Sequence, residues 1–208
     1  FDTVWSLKDY YRINHPDEKL NPFLLRGEEW RKGRMAVNPH MFNAKAAKSY
    51  LPQINKASRA AVQHIGEYEE DVDGFCKYAS MDMFNAMALG LEMNATAGDV
   101  EDRKSTDVMA EALKSMVEVL IKAPWSEYDM LKFGAWKKFE EKFIAGCDEV
   151  EMLLERSMAD PNNTGFMRAF LESEKEISRF QAVSMVTVLM FAAADTTAAT
   201  LANVLLNL

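Results

Sequence analysis

The stretch MFAAADTTAAT, residues 190–200, places Asp195, Thr196 and Thr197 inside an apolar helical pattern. The twelve residues that precede Asp195 contain only Ser184 and Thr187 as polar members. An ionised carboxylate buried without a partner is costly, so Asp195 needs access to solvent, a partner or a chemical role. The stretch therefore predicts a core helix whose polar interruption has either a packing or a functional cause.

Small and polar side chains of this segment fall along one helical face at 100° per residue. That face carries Met185, Leu189, Ala192, Ala193, Thr196, Thr200 and Asn203. The alanines let a large, flat group approach the backbone, and the Thr196 hydroxyl can bond to a carbonyl one turn earlier. Asp195 projects about 100° away, towards solvent or a basic partner. The alternative is structural, with close helix packing and an interhelical ion pair of Asp195.

The rest of the 208-residue chain follows the same helical pattern. Glycine is scarce, β-branched alternation is absent, and Ala, Leu, Met, Glu and Lys dominate the long segments. We predict an all-α fold with helices at 4–13, 28–37, 44–68, 75–93, 105–121, 135–158, 166–173 and 179–208. Ser178 and Gln181 form a capping box at the start of the last helix.

Composition excludes several classes of function. A net charge of −8 and a pI near 5.0 argue against a nucleic-acid binder. Cys76 and Cys147 are isolated, so neither a disulfide framework nor a zinc site is indicated. No run of 18 uncharged apolar residues occurs, because Asp195 divides the best candidate, and we expect no membrane span.

A second group of interest is GEEWRKGRMAVNP, residues 27–39. Trp30 and Arg34 are four residues apart, so on a helix they project from one face. The indole N–H and the guanidinium are both donors with no acceptor between them, and together they suit a carboxylate anion. The alternative is a cation–π contact in which Arg34 lies over Trp30.

Taken together, the two stretches resemble the cytochrome P450 family. Its C helix carries W-x-x-x-R, present as Trp30 to Arg34, and its I helix carries (A/G)-G-x-(D/E)-T-(T/S), matched by residues 192–197 with Ala193 at the usual glycine. PWSEYDMLKFGAWKKFEEKF, residues 124–143, looks like the F–G connection and G helix. YLPQIN is reminiscent of the mitochondrial type. The resemblance makes residues 1–208 a partial P450 domain, from before the C helix to the I helix and truncated at both ends.

This resemblance implies a haem-thiolate monooxygenase that inserts one oxygen atom from O2 into a small apolar substrate. Trp30 and Arg34 would bind a propionate of haem b. Thr196 would stabilise the bound oxygen, and Asp195 would relay protons for O–O cleavage. A methyl group at Ala193 would narrow the space above the haem.

The family's axial cysteine lies in an F-x-x-G-x-R-x-C-x-G loop that we expect beyond this chain. Residues 143–147 begin like that loop, but no arginine precedes Cys147. This chain would therefore supply no metal ligand and would be inactive alone. Two Glu-x-x-Arg spacings, Glu28/Arg31 and Glu176/Arg179, are interpreted as surface ion pairs.

By the same resemblance, electrons come ultimately from NAD(P)H through a ferredoxin or a flavin-containing reductase, which would dock beside Arg31 and Lys32. The protein would be membrane-associated, in mitochondria or the endoplasmic reticulum. The main alternative function is a non-enzymatic helical scaffold or interaction module. A di-iron helical bundle is disfavoured because its Glu-x-x-His pairs are missing.

Overall fold

The computed structural model describes residues 5–122, 134–174 and 176–207. Within these residues the chain forms helices and no strand, which confirms the all-α prediction. The helices are α1 (Trp5–Asn14), α2 (Gly27–Met41), α3 (Ala44–Gln63), α4 (Val72–Ala88), α5 (Val100–Lys122), α6 (Ala135–Ala159), α7 (Phe166–Ser173) and α8 (Arg179–Leu206). Residues 124–133 of the stretch likened to the F–G connection lie outside the described residues, as do predicted helix ends 4 and 208.

Capping side chains decide where the helices begin. The Asp71 carboxylate accepts the Gly74 N–H at 2.9 Å, so α4 starts at Val72. Asp99 accepts from the backbone N–H groups of residues 101 and 102 at 3.1 and 3.0 Å, and α5 starts directly after it. The predicted capping box of Ser178 and Gln181 opens α8.

The helices bury one large apolar core. Helix α5 packs along α6, and α8 packs against α4 and α6. The first half of α8 belongs to this core, and its fully buried Met185 and Met190 lie in the same apolar cluster as the phenylalanines of α6. A smaller cluster around Cys76 and Ala202 joins the second half of α8 to α4.

A short 3-10 turn, Pro22–Leu24, connects α2 to α8 because it packs against both helices. Asn21 caps the turn by accepting the Phe23 N–H at 2.9 Å, and its amide donates to the Ser184 hydroxyl on α8. On the other side Pro22 lies against Gly33, where an added Cβ would come within 2.4 Å of the proline Cβ. This turn therefore sets the position of the α2 segment that carries Trp30 and Arg34.

By length and composition, α8 is the one helix among the described residues that could cross a membrane. The sequence expectation of no such segment was too strict, because Asp195 and Arg179 are the only charged residues in α8. A core helix meets the same criterion, and the first half of α8 is packed inside the protein.

Candidate functional site

Trp30 and Arg34 lie on α2, and neither side chain is in the core. Trp30 is 45% exposed and Arg34 is half-buried. The Arg34 guanidinium lies over the ring of Phe42, with Cζ 3.6 Å from the ring centroid, and not over Trp30. Among the described residues, neither Trp30 nor Arg34 donates a side-chain hydrogen bond.

This arrangement leaves hydrogen-bond donors available for a ligand. A guanidinium that rests on an aromatic ring keeps its in-plane N–H groups free to donate. The indole N–H of Trp30 is a donor only. The donor set therefore fits an anionic acceptor such as a carboxylate. The contact between Arg34 and Phe42 could not be predicted from the sequence. Phe42 follows the end of α2, where helical spacing no longer indicates which side chains meet.

The face of α8 that carries Thr196 changes from buried to exposed along its length. Met185 and Leu189 are buried, whereas Ala192, Thr196 and Thr200 are exposed. The Thr196 hydroxyl donates to the Ala192 carbonyl at 2.6 Å, as its position in the helix predicts. The exposed part of this face is therefore lined by small side chains and hydroxyl groups, and a flat ligand could lie against it.

Asp195 is exposed and borders a cavity of about 510 Å³ between α4, α5 and α8. Apolar side chains form most of its wall, among them Met81, Met109, Leu113, Val117, Met190 and Phe191. Lys77 and Lys114 also line it, but Lys77 is paired with Asp107 at 2.7 Å. In the described part of the chain Asp195 has no ion-pair partner, so the interhelical ion pair considered for it is not formed.

The two cysteines are poor candidates for an axial thiolate. Cys76 is fully buried in the smaller apolar cluster, and burial raises the pKa of its thiol. Burial also raises the pKa of Cys147 to about 12. Deprotonation of either thiol is therefore less favourable than for an exposed cysteine, so neither is poised as a thiolate.

Of the two predicted surface ion pairs, Glu28/Arg31 is present, whereas Arg179 binds other carboxylates than that of Glu176. Arg31 lies 3.9 Å from Glu28, as the spacing predicts. Arg179 instead binds the carboxylates of Glu151, at 2.5 Å, and Glu155 on α6. The Arg179 partners could not be predicted because they are 24 and 28 residues away in the chain.

Comparison with known proteins shows which family the chain resembles. Cytochrome P450 11B2, mitochondrial, of Mesocricetus auratus is 35% identical over 43 residues, which are 21% of this chain and 9% of that relative. The family model of cytochrome P450 matches residues 3–208 and therefore includes both the α2 and the α8 motifs. Because this match covers nearly the entire chain, the protein belongs to the cytochrome P450 family.

Proposed function

We propose that the full-length protein is a haem monooxygenase that inserts one oxygen atom from O2 into a small apolar substrate. The observation that carries this proposal is the pair of unused donors, Trp30 and Arg34, on a helix of a P450 family member. A haem propionate is the acceptor that these donors fit, because a carboxylate can take a forked bond from a guanidinium. Bound haem supplies the iron at which dioxygen is reduced.

Thr196 is proposed to hold a hydrogen bond at the exposed face of α8. Its hydroxyl proton is directed to the Ala192 carbonyl, so the lone pairs of Oγ1 remain available to accept a hydrogen bond from a ligand or a water. The neighbouring alanine side chains are too small to shield this oxygen. Thr196 can therefore orient a protonated oxygen or a water at that face.

Asp195 is proposed to move protons from solvent to the same face. Its carboxylate is exposed and has no ion-pair partner in the described part of the chain, so it can exchange a proton with water without first breaking an ion pair. It projects about 100° from Thr196 around the helix axis. A water molecule between the two side chains would complete the transfer.

A cysteine other than Cys76 and Cys147 is proposed to provide the axial thiolate, since Cys76 is enclosed in an apolar cluster and Cys147 lacks the preceding arginine of the family's cysteine loop. The 208 residues alone would then be inactive. Absorbance spectra of the reduced carbon monoxide complex, recorded for Cys76→Ser and Cys147→Ser variants of the full-length protein, test this assignment. Loss of the thiolate spectrum in either variant would contradict it.

Electron supply and location are proposed from the family and its relative. Arg31 and Lys32 are exposed on α2, where they could attract an acidic ferredoxin or a flavin-containing reductase that carries electrons from NAD(P)H. The relative's printed name says mitochondrial, so we propose the mitochondrial membrane over the endoplasmic reticulum. Fractionation of cells expressing the full-length protein tests this placement.

Arg34→Ala in the full-length protein tests haem binding. Loss of a charge-assisted hydrogen bond costs about 1.5–3 kcal/mol, so haem should dissociate roughly 10- to 100-fold faster. Transfer of haem to an excess of apomyoglobin measures the rate.

The matched control is Arg31→Ala, one turn away on α2 and joined to Glu28 only by a surface contact of 3.9 Å. Its haem should dissociate at the original rate. Equal rates for Arg31→Ala and Arg34→Ala would mean that Arg34 does not bind a propionate.

A further inference from the structure

A separate cavity of about 380 Å³ lies between α1, α6 and the first turns of α8. Its wall on α8 includes Ser184, which precedes Thr196 by twelve residues, or about 18 Å along the helix. Cavities of this size are large enough for a small organic ligand. Neither Trp30 nor Arg34 lines it, so it is distinct from the site described above.

Aromatic rings form several walls of this cavity at steep mutual angles. The rings of Tyr10 and Tyr11 are 76° apart, and those of Tyr11 and Phe180 are 84° apart. The His15 ring lies 4.6 Å from the Phe180 ring, centroid to centroid. Rings that meet at such angles offer both faces and edges to a ligand ring, which favours aromatic contacts.

The Tyr11 hydroxyl is a buried polar group without a well-formed hydrogen bond. Tyr11 is only 3% exposed, and although the Ser184 hydroxyl and the Cys147 thiol are its polar neighbours, its oxygen makes no hydrogen bond of good geometry with a described residue. Ser184 lines the same cavity, and its oxygen accepts from the Asn21 amide. A buried hydroxyl without a well-formed hydrogen bond is destabilising, so a ligand oxygen that bonds to Tyr11 in this cavity would gain affinity.

The charges around the cavity favour a neutral ligand. Burial raises the pKa of Tyr10 and of Cys147 to about 12, so both are uncharged at neutral pH. At the rim, the Glu151 carboxylate and the Arg179 guanidinium neutralise each other at 2.5 Å. Asp148 is exposed at the rim, where it disfavours an anion.

We propose that this cavity binds a neutral aromatic molecule of one or two rings whose hydroxyl or carbonyl oxygen hydrogen-bonds to Tyr11. The rings of Tyr10, Tyr11 and Phe180 contact the ligand ring, and the Tyr11 hydroxyl selects for its oxygen. The proposal does not depend on the monooxygenase assignment, because none of the residues proposed for that reaction lines the cavity.

The test uses two probes of equal shape, 4-fluorophenol and 4-fluorotoluene, titrated into the full-length haem protein and followed by fluorine NMR. The hydroxyl of 4-fluorophenol should increase affinity about three- to tenfold over 4-fluorotoluene, the range of one net hydrogen bond. In Tyr11→Phe that preference should disappear while the affinity for 4-fluorotoluene stays unchanged. Because this hydroxyl makes no well-formed hydrogen bond with a described residue, Tyr11→Phe should fold with little change in thermal stability.

A second variant locates the binding. Ile144→Trp places a larger side chain at the rim, on a residue that is already 46% exposed, and should weaken both probes at least tenfold. Met152→Trp, an exposed position of the same helix that does not line the cavity, should leave both affinities unchanged. The proposal is overturned if the preference for 4-fluorophenol survives in Tyr11→Phe, or if Ile144→Trp binds the probes as tightly as the original protein.

Discussion

Thr196 and Thr200 make the same local hydrogen bond on the same exposed face of α8. Their hydroxyls donate to carbonyls four residues earlier, at 2.6 and 2.8 Å. Any effect of these bonds on helix geometry is therefore shared by the two residues. Thr196 differs from Thr200 in its position beside Asp195 and Ala192, and the proposed chemistry depends on that position.

We predict that Thr196→Ala in the full-length protein uncouples reductant consumption from product formation. Without the Oγ1 acceptor, protons reach the reacting oxygen without the orientation that leads to product, and peroxide is released. The ratio of product formed to reductant consumed should fall about tenfold or more, with peroxide rising in proportion. Thr200→Ala should stay within about twofold of the original ratio. If both variants remain coupled, Thr196 has only a structural role.

Asp195→Asn should fail in a different way. The amide cannot carry a proton, so turnover should fall about 100-fold and the solvent isotope effect should rise. Substrate affinity should change little, because Asp195 is not proposed to hold the substrate. Steady-state rates in light and heavy water, with a spectral binding titration, measure these quantities. An unchanged isotope effect with slower turnover would exclude proton supply as the function of Asp195.

At the scale of single residues, local spacing predicts only local contacts. The Thr196 bond was predictable because it follows from helix geometry. The Arg34 contact with Phe42 and the Arg179 contacts with α6 were not, because they depend on where the chain goes after a helix ends.

At the scale of the helices, the connection between α2 and α8 depends on one small residue. Gly33 is helical, and an added Cβ would lie 2.4 Å from the Pro22 Cβ, closer than atoms can approach. The 3-10 turn would have to move away from α2, although Asn21 binds it to Ser184 on α8. Gly33 therefore permits the contact that places Trp30 and Arg34.

We predict that Gly33→Ala lowers the free energy of unfolding by about 1–3 kcal/mol, the usual cost of overpacking. Haem retention should fall with it, because α2 shifts. Gly66→Ala is the matched control, since nothing lies within 4 Å of its added Cβ. It should be neutral or slightly stabilising. Chemical denaturation and haem transfer measure both effects, and a Gly33→Ala protein as stable as Gly66→Ala would contradict this account.

Within the described residues, the sequence located each α-helix but not every helix end. Apolar periodicity depends on the helix interior, which packs against the core, and so it placed α6 and α7 almost residue for residue. Helix α5 begins five residues earlier than predicted because Asp99 caps it. Helix α2 continues through Pro39 to Met41. The proline has no N–H to donate, but it is exposed, so water can bond the carbonyl left free in this last turn. Caps and exposed prolines act through single contacts, and apolar periodicity over a whole helix does not detect single contacts.

At the scale of the whole molecule, the net charge of −8 makes any exposed basic group important for an acidic electron donor. The α2 surface beside Trp30 and Arg34 carries two such groups. Arg31 is partly neutralised by Glu28 at 3.9 Å, whereas Lys32 is exposed and has no ion-pair partner among the described residues. On this surface, Lys32 is therefore the basic group whose charge is not reduced by a neighbouring carboxylate of the described residues, and it should attract an acidic partner most strongly.

We predict that Lys32→Glu slows reduction of the full-length protein by its electron donor about tenfold at low salt. The effect should shrink above 0.1 M salt, where charges more than about 10 Å apart are screened. Lys104→Glu makes the same change in net charge on α5, at an exposed position, and should slow reduction far less. Stopped-flow reduction rates across a salt series compare the two variants. Equal slowing by both would assign the effect to net charge, and a rate for Lys32→Glu that does not depend on salt would remove the α2 surface as the docking site.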